Sequence, residues 1–189
     1  MNTDIEPMDV CEIGIITSLD EDSENGVYNV IIMSNDGYAC TIKKKYTYIS
    51  DFLAGMYEGD SDAGKPGTEI NLNKLSGNSL RLIEEYMNHH KGKDDDIPKM
   101  PLEDTDMKKI FKDEWDADFL ERLVPTTVSE TNSSEVIPNL GGLIELLTIS
   151  NYLGMTVLLH KLSAKFASFL RNKGEEEINR FLASYSNNS

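Results

Sequence analysis

The adjacent histidines His89 and His90, followed by Asp94, Asp95 and Asp96, are the densest set of metal-binding or acid–base side chains in the chain. Neighbouring residues on a helix project about 100° apart, so these two imidazoles would not converge on one ion. Their position at the end of an amphipathic segment reads instead as a helix C-terminus, where positive character is favourable. His160 stands alone, and Cys40 lies inside a strand pattern, where it reads as a packed side chain rather than a nucleophile. Glu175, Glu176 and Glu177 suit the solvated first turn of a helix. The chain contains no GxxxxGK(S/T), GxSxG, CxxC or HExxH, the spacings of phosphate cradles, nucleophile elbows, redox dithiols and zinc sites. The chemistry these residues point to is binding, not catalysis, with no cofactor and no metal.

The stretch suited to binding runs from Leu140 to Leu170 and carries two apolar periodicities separated by Gly154. Leu143, Leu146, Leu147 and Ser150 recur at helical spacing in the first. Met155, Leu158, Leu159, Leu162, Phe166, Phe169 and Leu170 do so in the second. Seven apolar side chains in sixteen residues make a stripe wider than one core contact requires. Two readings stand side by side: a pair of core helices in an α-rich domain, or a surface part of which faces another protein.

Size and composition narrow the classes. A chain of 189 residues holds one ordinary domain with appendages. Its 39% hydrophobic and 27% charged content is that of a globular protein. No run approaches the roughly 18 consecutive apolar residues of a membrane span, and no basic region followed by an apolar stretch opens the chain as in a secretory signal. Cys11 and Cys40 form no spacing pattern and fit a reducing compartment, cytoplasm or nucleus. The net charge of −15 argues against nucleic acid, which requires a basic footprint, and against anionic membrane surfaces. Eight acids and no Lys or Arg precede Val27, so residues 1–27 form an acidic extension that supplies about half of the imbalance.

Along the chain, Tyr28 to Met33 reads as a strand, Ser34-Asn35-Asp36-Gly37 as a tight turn, and Tyr38 to Lys43 as the return strand. Ile49, Phe52, Leu53 and Met56 have the spacing of a short amphipathic helix. Glu58 to Thr68 is a turn-rich loop, and Glu69 to Lys74 a short strand. Ser76 or Asn78 would cap a helix reaching about His90, with Leu80, Ile83, Met87 and His90 on one side. In the Trp115-Asp116-Ala117-Asp118-Phe119-Leu120 segment, Asp116 or Asp118 would cap a helical turn, with Trp115, Phe119 and Leu120 facing inward. Pro125 to Pro138 is rich in Ser, Thr and Pro and reads as an exposed inserted loop. A last helix would begin at Gly174 and carry Ile178 and Phe181.

Four of these segments, in order, resemble the S-phase kinase-associated adaptors of SCF ubiquitin ligases. The hairpin turn resembles the family's Ser-x-Asp-Gly. His89-His90-Lys91 and the following aspartates resemble His-His-Lys-Asp-Asp, with Gly92-Lys93 inserted. Trp115 to Leu120 resembles Trp-Asp-x-Glu-Phe-Leu. Ser150-Asn151-Tyr152-Leu153-Gly154 resembles Ala-Asn-Tyr-Leu-Asp. Elongin C, a relative, carries a similar Ala-Asn-Phe-Leu. Glu175 to Phe181 resembles the family's Glu-Glu-Ile-Arg-x-x-Phe, but the acidic, tryptophan-bearing helix that ends the family has no counterpart here.

The resemblance implies an α/β (α+β) BTB/POZ-like domain over 28–173: a small mixed sheet, a helical layer, an inserted loop at 125–139 and a short C-terminal extension at 174–189. It implies a non-catalytic adaptor of the cytoplasm and nucleus that joins a cullin N-terminal domain to F-box proteins. Asn151 and Tyr152 fall on the cullin-contacting Asn-Tyr, although Tyr152 reads equally as a half-buried core aromatic. Leu158, Leu162, Phe166, Phe169, Ile178 and Phe181 fall on the F-box-facing surface, without a division between core-facing and partner-facing members. The alternatives are an elongin C-like adaptor with other receptor helices, or a BTB scaffold that homodimerises.

Overall fold

The computed structural model describes residues 28–59, 62, 65–128 and 136–179. Strand β1 (Asn29–Ser34) turns at Asp36-Gly37 into β2 (Ala39–Lys43), and the short α1 (Lys44–Thr47) and α2 (Asp51–Gly59) follow. After β3 (Glu69–Leu72) come α3 (Gly77–His90), α4 (Met107–Ile110) and α5 (Glu114–Arg122). A short pair, β4 (Thr126–Val128) and β5 (Val136–Pro138), leads into α6 (Gly141–Tyr152) and α7 (Thr156–Leu170), and residues 175–179 are helical.

The main sheet has the order β2-β1-β3, with β1 antiparallel to β2 and parallel to β3. Alternation decides its inner face: Val30, Ile32, Cys40, Ile42, Ile70 and Leu72 are all buried, as period-two strands with one apolar side require. Register places Ile32 opposite both Cys40 and Ile70. Burial pushes the Cys40 thiol up to about 12, so it is a packed, inert side chain.

The hairpin also starts α3. Gly37 takes φ +85°, the backbone state that a tight turn demands of glycine. The Asp36 carboxylate accepts a hydrogen bond from the Gly77 amide at 2.9 Å, and the Ser76 hydroxyl accepts one from Ser79 at 3.2 Å. Two otherwise unpaired amides of the α3 N-terminus are thereby satisfied. Helix α3 lies across the sheet and buries Leu80, Ile83, Tyr86 and Met87.

The architecture is thus mixed α/β, a small mixed sheet with a helical layer, as the BTB/POZ resemblance requires. Two local expectations change. The 125–139 segment is not wholly loop: its ends pair as β4 and β5, with Thr127 opposite Ile137. The cap of α5 is Asp113, whose carboxylate accepts from the Trp115 amide at 2.9 Å. Asp118 is an exposed partner of Lys108, and Asp116 is buried inside the helix.

Candidate functional site

The corner between α6 and α7 is held against the start of α2 by backbone bonds. The Phe52 amide donates to the Leu153 carbonyl at 3.2 Å, and the buried Ser50 hydroxyl donates to the same carbonyl at 2.6 Å. Gly154 sits at φ +65°, and a Cβ there would lie 2.9 Å from Asp51 Cβ, so conformation and close approach both call for glycine. This clamp fixes what the last turn of α6 displays. Asn151 is exposed, and Tyr152 is half-buried with its ring 5.0 Å from that of Phe52 and the Lys74 ammonium 4.6 Å above it. Tyr152 is therefore a rim aromatic with a packed body, the usual form of an interface anchor. A groove of about 260 Å³ opens beside the corner, lined by Tyr48, Ile49, Asp51, Gly154 and Val157 among others.

The apolar stripe of α7 divides. Leu158 and Leu162, which the resemblance sets on the F-box-facing surface, are 1% and 0% exposed and lie on the core side of the stripe. Their physical task in the fold is to bury α7 against the rest of the domain. Phe166 and Phe169 are half-buried at its edge. Ile178 is half-buried in the 175–179 turn, and Phe181 lies outside the described residues. The stripe is thus less open than its width in sequence suggests. Of the large apolar side chains exposed among the described residues, Tyr48, Ile97, Met100 and Ile144, only Ile144 lies between Leu140 and Leu170.

The inward face of α7 instead holds two lysines. Lys161 is 0% exposed, and its ammonium lies 2.9 Å from Asp94 and 2.7 Å from Asp116. His90 approaches Asp116 at 3.0 Å and Asp94 at 3.8 Å, while Tyr86 donates to Asp94. Burial opposes ionisation of Asp116, but the bonds from His90 and Lys161 outweigh it and hold the carboxyl below its ordinary value. Burial, then the Asp94 charge, pushes the Tyr86 phenol up. This joint ties α3, the following loop, α5 and α7 together. Lys165 reaches Glu121 of α5 at 2.7 Å.

His89 and His90 diverge, their rings 88° apart. His89 stacks on Trp115 at 3.9 Å and pairs with Asp113 at 2.7 Å, an interaction that lowers the Asp113 carboxyl. Over them lies a cleft of about 410 Å³ lined by His89, His90, Asp95, Asp96 and Lys112 among others. Among the described residues no group of three or more His, Cys, Asp or Glu is placed to hold a metal ion. At the joint the Lys161 ammonium stands where a cation would. Sequence reading missed this joint, although the signal was there: Lys161 and Lys165 share helical spacing with Leu158 and Leu162.

The described surface therefore offers a clamped aromatic rim, while the Lys161, Asp94 and Asp116 cluster is closed within the fold. No family model matches the chain. Over 153 residues, 80% of each chain, it is 27% identical to the E3 ubiquitin ligase complex SCF subunit sconC of Arthroderma benhamiae. The chain is thus similar to an SCF ubiquitin ligase subunit, and its mixed α/β fold agrees with the fold expected from the S-phase kinase-associated resemblance.

Proposed function

We propose that the chain is a non-catalytic adaptor that joins the N-terminal region of a cullin to F-box receptors. The observation that carries this reading is the corner itself: Tyr152 packed on Phe52 with Asn151 exposed beside it, at the end of a helix whose sequence matches the family's Asn-Tyr. A half-buried aromatic at a rigid rim loses little entropy on docking and buries much area. The cullin takes Asn151 and Tyr152. The F-box helix takes the edge of α7 at Phe166 and Phe169, together with Ile178 and Phe181. Leu158 and Leu162 support that edge from within. The adaptor works in the cytoplasm and nucleus, where its partners assemble.

Affinity purification of the full chain with mass spectrometry tests this. Recovery of a cullin together with several F-box proteins is expected. Elongin B-like and SOCS-box partners would replace this reading with the elongin C-like one, and recovery of self-copies alone would replace it with a homodimeric scaffold.

A further inference from the structure

Charge at the Tyr152 rim is sparse. Helix α6 carries one acidic side chain, Glu145, and no basic one, and the Glu145 carboxylate is already engaged by the hydroxyls of Ser76, at 3.0 Å, and Ser79. Asp51 stands across the corner at the N-terminus of α2, with its Cβ facing Gly154, where the helix dipole favours a carboxylate. That leaves Lys74, an exposed residue in the turn between β3 and α3. Its ammonium rests over the Tyr152 ring at 4.6 Å, and among the described residues no carboxylate lies within ion-pair distance of it.

A lysine held on an aromatic face keeps its full charge while its stem is partly ordered, so presenting that charge to a partner costs little further freedom. The chain as a whole is acidic, net −15, with about half of the excess in residues 1–27. A partner carboxylate is repelled over most such surfaces and attracted at this one.

We propose that Lys74 is a specificity residue of the Tyr152 site, and that the partner docking there places an Asp or Glu carboxylate against Lys74 as its apolar group covers the tyrosine. The inference rests on the reading of Tyr152 as the cullin-docking residue. It adds the sign of charge that the partner must carry at one position.

The test measures binding of a recombinant cullin N-terminal region to the full chain by calorimetry, at low and at raised salt. The variants are Lys74→Arg, Lys74→Met, Lys74→Glu and Tyr152→Lys, with thermal melts confirming that each remains folded. A close interfacial charge pair predicts that Lys74→Met weakens binding by about tenfold and Lys74→Glu by more. Lys74→Arg should retain affinity, and the salt dependence should shrink in Lys74→Met. Equal affinity of Lys74→Met and the unaltered chain overturns the inference even if Lys74→Glu is weaker, because repulsion alone then explains the loss. Loss of binding in Tyr152→Lys with no effect at Lys74 sinks this inference and spares the adaptor reading. No binding by the unaltered chain sinks both.

Discussion

Of the places where this molecule sets a lysine against an aromatic ring, two serve opposite ends. At the joint of α3, α5 and α7, Lys161 is fully buried, 5.3 Å from the Tyr86 ring, and its charge is spent on Asp94 and Asp116. At the end of α6, Lys74 is exposed, 4.6 Å from the Tyr152 ring, and its charge is uncommitted among the described residues. Burial makes the difference. A buried ammonium must be fully paired, because removing one member strands the others in a poorly solvating interior. An exposed one carries no such penalty and stays available to a visitor. The first arrangement holds the fold together, and the second offers recognition.

Substitutions at the two places separate these roles. Lys161→Met keeps the length of the side chain but leaves two buried carboxylates without their ammonium partner, and should cost about 3–5 kcal/mol in urea unfolding. A loss below about 1 kcal/mol would mean that water reaches the joint and that it does not bind the helices together. Next in size, Leu162→Ala should cost about 2–5 kcal/mol as a core truncation. Phe166→Ala, at the half-buried edge of the same helix, should cost roughly 1 kcal/mol and weaken capture of F-box proteins. Equal destabilisation by the two would erase the division of the stripe.

At the other region, Tyr152→Lys should shift stability by about 1 kcal/mol or less while weakening the cullin by about thirtyfold or more. Unfolding of this variant, seen as a collapsed far-UV signal, would move Tyr152 from rim to core. The smallest effect expected is one of pH. The folded carboxyl of Asp116 titrates below its ordinary value, so its stabilisation is present above the unfolded pKa and is lost as pH falls through the folded one. The melting temperature should drop with acid in that range, and the drop should be shallower in Asp116→Asn, whose side chain does not titrate.

Much of the fold was legible because local chemistry and tertiary outcome agree. The Asp36-Gly37 turn, the period-two strands, Ser76 as a cap, and the two helices split at Gly154 follow from rules that act within a few residues. The α5 cap was displaced by one turn because three aspartates, Asp113, Asp116 and Asp118, compete for the role. Only the position of Lys161 shows that Asp116 is needed inside. The candidate site was legible as a motif, Asn151-Tyr152, but not as a geometry.

From the residues alone came the order of elements, the lack of catalytic spacings and the apolar helices around Gly154. Tertiary structure alone decided which members of the α7 stripe are hidden, that two of its inward positions are lysines with acids waiting for them, and that Lys74 meets Tyr152. The physical reason is range. Turns, caps and periodicity are set by neighbours in the chain, whereas Lys161 and Asp94 are 67 residues apart. Which charges are buried and which are left over depends on contacts that exist only once the distant segments have packed.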